Sequence, residues 1–131
     1  MRRLFALFFF IALTGVVRGN LGDSGDRIED VYGTPVARHL RDDGTVAIVY
    51  HKDRYLVEVI FDHDVSVSEK YSRFDRTDLS EREFARFLKM NAGRAKWVRE
   101  EKSKEPRFER SDHKAVATAA KGQLQVESRK R

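Results

Sequence analysis

VAIVYHKDRYLVEVIF, residues 46–61, alternates large apolar side chains with smaller or polar ones on either side of a polar break. Val46, Ile48 and Tyr50 share one parity, and Tyr55, Val57, Val59 and Phe61 take it up again after Lys52-Asp53. Successive side chains of a strand point to opposite faces, so this period of two predicts two half-buried strands of an antiparallel hairpin. With Lys52-Asp53 as a two-residue connection, Tyr50 lies opposite Tyr55, Ile48 opposite Val57 and Val46 opposite Val59. A one-residue slip would send the whole apolar set to the wrong face, which fixes the register. Asp62-His63-Asp64 makes the next turn. Val65, Val67 and Tyr71 then continue the inner face, with Ser66, Ser68, Lys70 and Ser72 outward. The reading is a three-stranded meander.

Upstream, Asp23 or Ser24 caps a short helix in which Ile28, Val31 and Tyr32 form an apolar stripe at helical spacing. Gly33 suits the left-handed position after its last turn, and Pro35 prevents continuation. Downstream, Leu79-Ser80-Glu81-Arg82-Glu83-Phe84 carries a capping box between Ser80 and Glu83, flanked by Leu79 and Phe84 as a hydrophobic staple. Phe84, Phe87, Leu88 and Ala92 follow helical spacing, and Gly93 is the expected stop. Residues 94–106 read as a charged linker with Trp97 as its large apolar anchor. Three weaker strands are expected near 107–110, 115–119 and 123–128, with alanine-rich 115–120 also readable as a helix turn and Ser128–Arg131 as a frayed basic end. The expected fold is α+β: an antiparallel sheet of three strong and up to three weaker C-terminal strands, with two short helices packed on one face. Its core is expected to hold Ile28, Val31, Val46, Ile48, Val57, Val59, Phe61, Phe84, Phe87 and Leu88. Helix then three strands, twice over, also reads as two similar halves.

The first nineteen residues have a different character. Arg2 and Arg3 precede the apolar run Leu4–Val17, and Val17-Arg18-Gly19 puts small residues at the positions a signal peptidase reads. This is the anatomy of a cleaved secretory signal, 1–19. Fourteen apolar residues fall short of the ~20 needed to span a bilayer. The expectation is an exported protein, periplasmic or extracellular, with no stable membrane anchor after cleavage. Residues 20–93 then form the helix–meander–helix core, and 94–131 the linker and weak strands of the same domain. Loss of Arg2, Arg3 and Arg18 from 26 basic residues leaves 23 against 21 acidic ones, a mature charge of +2. The balance is uneven, because residues 20–93 carry 11 basic and 15 acidic side chains while 94–131 carry 12 and 6. Cysteine is absent, which excludes disulfides, a thiol nucleophile, cysteine-ligated metal and lipidation at the cleavage site.

Chemistry-bearing residues are sparse. Asp42, Asp43, Asp62, His63 and Asp64 fall at one end of the meander, a set that could serve a small metal-dependent hydrolase. Asp-rich hairpin ends are equally ordinary turn chemistry. His51 and His63 sit at opposite ends of one strand and share no metal; His39 and His113 read as surface groups. No Gly-x-Ser-x-Gly elbow occurs, and Lys96-Trp97-Val98-Arg99 is a weak nucleic-acid signal in an exported chain. No catalytic, metal or cofactor site is expected. The outward face of the meander is the exception to this plainness. Val49, Leu56 and Ile60 lie there beside Glu58, where a sheet covered on one side only should be polar. An apolar strip of that kind points to partner contact or self-association, unless Trp97 or Phe108 of the C-terminal segment folds over it.

The helix ending in Tyr32-Gly33-Thr34-Pro35 and leading into Gly44-Thr45-Val46-Ala47-Ile48-Val49-Tyr50 resembles the SmpA/OmlA-type (BamE-like) outer-membrane assembly domain over roughly residues 21–72. The same helix-plus-meander unit occurs, doubled, in secreted beta-lactamase-inhibitor-like proteins. The resemblance implies a small exported, non-catalytic protein-binding or envelope-associated module, although the family's lipidation cysteine is missing. The expected partner is another exported or envelope protein, not nucleic acid, bound through Val49, Leu56, Glu58 and Ile60.

Overall fold

The computed structural model describes residues 21–129, and the expected signal segment lies outside them. Two helices and eight strands follow in chain order: α1 (Gly25–Tyr32), β1 (Ala37–Leu40), β2 (Val46–Lys52), β3 (Tyr55–Asp62), β4 (Val65–Arg73), α2 (Glu81–Met90), β5 (Trp97–Arg99), β6 (Arg107–Arg110), β7 (Ala115–Ala120) and β8 (Gln123–Ser128). All eight strands join one antiparallel sheet in the order β1-β2-β3-β4-β8-β7-β6-β5. A helix followed by a four-stranded meander therefore occurs twice. The two units meet where β4 pairs with β8, Glu69 opposite Val126 and Tyr71 opposite Leu124.

The mixed α+β class and the weaker strands at the C-terminus are as the sequence implies, but the sheet is larger. Ala37–Leu40 adds an edge strand that its exposed, charged residues conceal. Residues 94–106 are not only a linker, because Trp97–Arg99 closes the opposite edge against β6. The central hairpin turns one residue later than expected. Asp53-Arg54 forms the connection, so Lys52 lies opposite Tyr55, Tyr50 opposite Val57 and Ile48 opposite Val59. The slip is two residues relative to the expected pairing, which preserves parity and hence both faces. Asp53 adopts φ 56, a conformation Asp accepts more readily than Lys52 would.

A β-bulge changes the phase of β4. Phe61 pairs with Ser66 and Ile60 with Ser68, leaving Val67 as the extra residue. Ser66 and Glu69 are consequently buried on the helix side and Val67 is turned to the other face, while Val65 is left exposed. The expected inward Val65 and Val67 and outward Ser66 are thus corrected.

Both helices cover the same face. Tyr32 of α1 packs on Tyr50 at 5.7 Å between ring centroids, and Phe87 of α2 stacks on Tyr71 at 4.2 Å. Ile28, Val57, Val59, Phe61, Phe87 and Leu88 are buried as expected, together with Tyr50, Tyr71, Leu124 and Val126. Val31, Ile48 and Phe84 only flank this cluster, and Val46 is half-buried beside the β1 edge. Gly122 illustrates how the second unit is held down. With Lys121 it makes a turn with both φ angles positive, where a Cβ would collide with Asp78, and its carbonyl accepts from the Leu79 amide at 2.9 Å.

The capping box forms as read: the Ser80 amide donates to Glu83 at 2.7 Å, and the Glu83 amide to Ser80 Oγ at 3.2 Å. Helix α2 ends at Met90 with Asn91 as its cap, two residues short of the expected stop at Gly93. Glu83 does more than cap. Arg73 donates to it at 2.6 Å and the Tyr55 hydroxyl also donates to it, tying α2 to β3 and β4. The Arg73 guanidinium, ahead of the other bonds, holds its carboxyl down at about 2. Glu83→Ala removes the reciprocal half of the capping box and the carboxylate that Arg73 and Tyr55 share, which should cost about 2–4 kcal/mol in a urea melt. A loss below ~0.5 kcal/mol would show that this junction contributes only as a surface ion pair.

Candidate docking surface on the open sheet face

Strand parity puts Val49 of β2 and Leu56, Glu58 and Ile60 of β3 on the side away from the helices. Val49 lies directly opposite Glu58, and Ala47 opposite Ile60, so the four form one contiguous patch across two strands. All four are half-buried by their neighbours. Glu58 reaches Lys70 at 3.5 Å, and Gln125 donates to Ser68 at 3.2 Å across the β4–β8 seam. The bulge adds Val67 to the same face.

The C-terminal segment does not cover this face. Strands β5–β8 extend the sheet edge to edge, and Trp97 and Phe108 pack against the helix-side core. The Trp97 indole is fixed there by donating to the Leu88 carbonyl at 2.7 Å. A segment paired into the sheet cannot also lie across it. The sequence left both arrangements open, and the seam between β4 and β8 decides between them.

The acidic residues do gather at one end, where the β1–β2 loop and the β3–β4 turn lie side by side. Their carboxylates are nevertheless engaged separately. Asp43 accepts from the Thr45 hydroxyl at 2.6 Å and amide at 2.9 Å, bonds that hold its carboxyl below the usual range. Asp64 accepts from the Gly25 amide at 3.2 Å, and Asp62 contacts His63 at 2.8 Å. Among the described residues no three such groups converge on a point where a metal could sit. His51 stacks on Phe74 at 4.2 Å, His113 contacts Glu109 at 2.9 Å, and His39 lies on β1, so the four histidines are dispersed.

The feature that sequence reading missed lies beneath the helices. Glu69 is fully buried and accepts from Tyr71 at 2.6 Å and Ser66 at 2.9 Å. Asn91 donates to the Tyr71 hydroxyl at 2.9 Å, and its own oxygen accepts from the Leu21 amide at 3.0 Å. Tyr32 of α1 approaches the same cluster, 3.5 Å from Glu69. Burial, above all other influences, pushes the Glu69 carboxyl up to about 8. Glu69, Tyr71 and Asn91 are fully buried, while Tyr32 also lines a cavity of about 190 Å³ with Tyr55 and Phe87, and the network acts as a polar clamp joining both helices to β4. The sequence did hold a sign of it: Glu69 shares parity with Val67 and Tyr71, a polar residue where the alternation calls for an apolar one.

No described helix is long and apolar enough to cross a membrane. No protein-family model matches the chain, and neither the curated proteins nor the solved structures yield a match.

Proposed function

We propose that this chain is an exported, non-catalytic binding module that docks a protein of its own compartment, periplasmic or extracellular, through the open sheet face at Val49, Leu56, Glu58 and Ile60. The observation that carries this reading is a face that the described residues leave open: an eight-stranded sheet with both helices on one side and half-buried apolar side chains on the other. The sheet edges offer poorer purchase. Each edge strand is short, four residues in β1 and three in β5, and Arg38 and Arg99 place charge along them. The signal-like N-terminus and the resemblance to SmpA/OmlA-type domains support an envelope setting. A hydrolytic site at Asp42, Asp43, Asp62, His63 and Asp64 draws less support, since Asp43 closes its own turn while Asp64 accepts from the Gly25 amide of α1.

Affinity capture from the exported fraction tests the reading. Leu56→Asp or Ile60→Asp should reduce capture of a specific partner at least 10-fold, while circular dichroism and melting stay near those of the native protein, because the core-facing side of β3 is untouched. If both variants capture as well as the native protein and truncation of Ser128–Arg131 abolishes capture, the basic end is the working surface.

A further inference from the structure

Two of the grooves on the open face have nearly equal volume and opposite charge, and a third, about 290 Å³, lies beside Lys70, Thr118 and Lys121. One, about 460 Å³, lies toward the β3–β4 turn, with Ile60 in its wall and Asp43, Glu58, Asp62 and Glu127 around it against Arg41 and His39. The other, about 450 Å³, lies toward the opposite end of β3, where Leu56 and Phe74 are apolar and Arg73, Arg76 and Lys121 supply charge. Among the described residues no carboxylate lines it. Arg73 is paired below with Glu83, whereas Arg76 and Lys121 form no ion pair within the described residues. Leu56 and Ile60 are four residues apart, which separates the groove centres by roughly 13 Å along the strand.

We propose that the occupant of the open face is a second copy of this chain, packed face to face about a two-fold axis that runs midway between the two sheets, parallel to them and perpendicular to their strands. This rests on the reading of that face as the docking surface and names its partner. Rotation about such an axis sets the acidic groove of one copy over the basic groove of the other, twice per dimer. An axis parallel to the strands would instead stack acid on acid. Glu58 and Lys70 lie near the axis and pair with each other within one copy at 3.5 Å, which offsets the like-charge contact that the rotation makes there. Ala47, Ser68, Ser72 and Thr118 are small enough for a second sheet to approach to the ~10 Å spacing of packed sheets. A patch that carries its own complement needs no second protein, and two-fold dimers built from one repeated patch are the commonest oligomers.

Sedimentation of the protein purified after expression of the full chain tests this. The native protein should form a dimer whose dissociation constant rises at least 10-fold between 50 and 500 mM salt, because the contacts at its ends are charge pairs. Arg76→Glu with Lys121→Glu makes both grooves acidic, and Asp62→Lys with Glu127→Lys makes both basic. Each variant alone should be monomeric, and an equimolar mixture should recover the dimer. A native protein that stays monomeric at millimolar concentration overturns the inference, as does a mixture that fails to pair. If it is monomeric while Leu56→Asp still abolishes capture, only the identity of the partner is wrong. If Leu56→Asp changes neither capture nor sedimentation, the docking face itself is wrong.

Discussion

Tyr71→Ala should lower the unfolding free energy by about 3–5 kcal/mol in urea titrations, enough to leave little of a domain whose total stability is of order 5–15 kcal/mol. Tyr71 is fully buried, its ring stacks on Phe87, and its strand sits at the seam where β4 pairs with β8. Truncation therefore opens a cavity under α2 and loosens the join between the two helix-plus-meander units. It also strips Glu69 and Asn91 of a shared partner. Tyr71→Phe separates the two contributions. It retains the ring and should cost about 1–3 kcal/mol, the penalty of leaving buried polar groups unsatisfied. If Tyr71→Phe costs as much as Tyr71→Ala, the hydroxyl network and not the packing dominates this site.

The second large effect is on pH. In the folded protein the Glu69 carboxyl sits near 8, against an ordinary value of 4.5. Burial is the cause, and the ionisable groups facing it are Tyr32 from α1, Tyr71 from β4 and Asp23 from the N-terminal segment. A folded-state value raised above the unfolded one means that the native state holds a proton the unfolded chain releases. The stabilisation is full below pH 4.5 and is lost as pH climbs through 8. Stability should therefore fall by roughly 3 kcal/mol between about pH 5 and pH 7. Below that window the order reverses, because Glu83, held near 2 by Arg73, must be protonated in acid. Glu69→Gln keeps an acceptor for Tyr71 and offers a donor to Ser66 Oγ. It should flatten the profile above pH 5 and leave the protein more stable than native at pH 8. A native profile that rises from pH 5 to pH 8 would contradict the buried, protonated carboxyl.

The parity of the central strands was legible in the sequence, and parity alone places Val49, Leu56, Glu58 and Ile60 on one face. The turn between β2 and β3 was not, because Lys52-Asp53 and Asp53-Arg54 are both polar pairs and a two-residue slip leaves the apolar pattern unchanged. Ala37–Leu40 and Trp97–Arg99 were hidden because each is only three or four residues long, is mostly exposed and carries an arginine, traits that suit a sheet edge. The bulge at Val67 leaves no mark in composition, yet it decides that Ser66 turns inward to Glu69. The two grooves were out of reach for a different reason. Glu127 and Lys121 join Asp62 and Arg76 only through the β4–β8 pairing, a contact between distant parts of the chain that no local pattern records.

The absence of cysteine allows the central claim, an uncovered sheet face, to be read one residue at a time. Cysteine placed at position 60 in dilute native protein should react with a thiol reagent without unfolding, slowed only by its half-burial, and cysteine at 126 only after global unfolding, since Ile60 lines the open face and Val126 is fully buried. Protection of Ile60→Cys at every protein concentration would mean that another part of the chain lies across the face, and the docking surface described above would not exist.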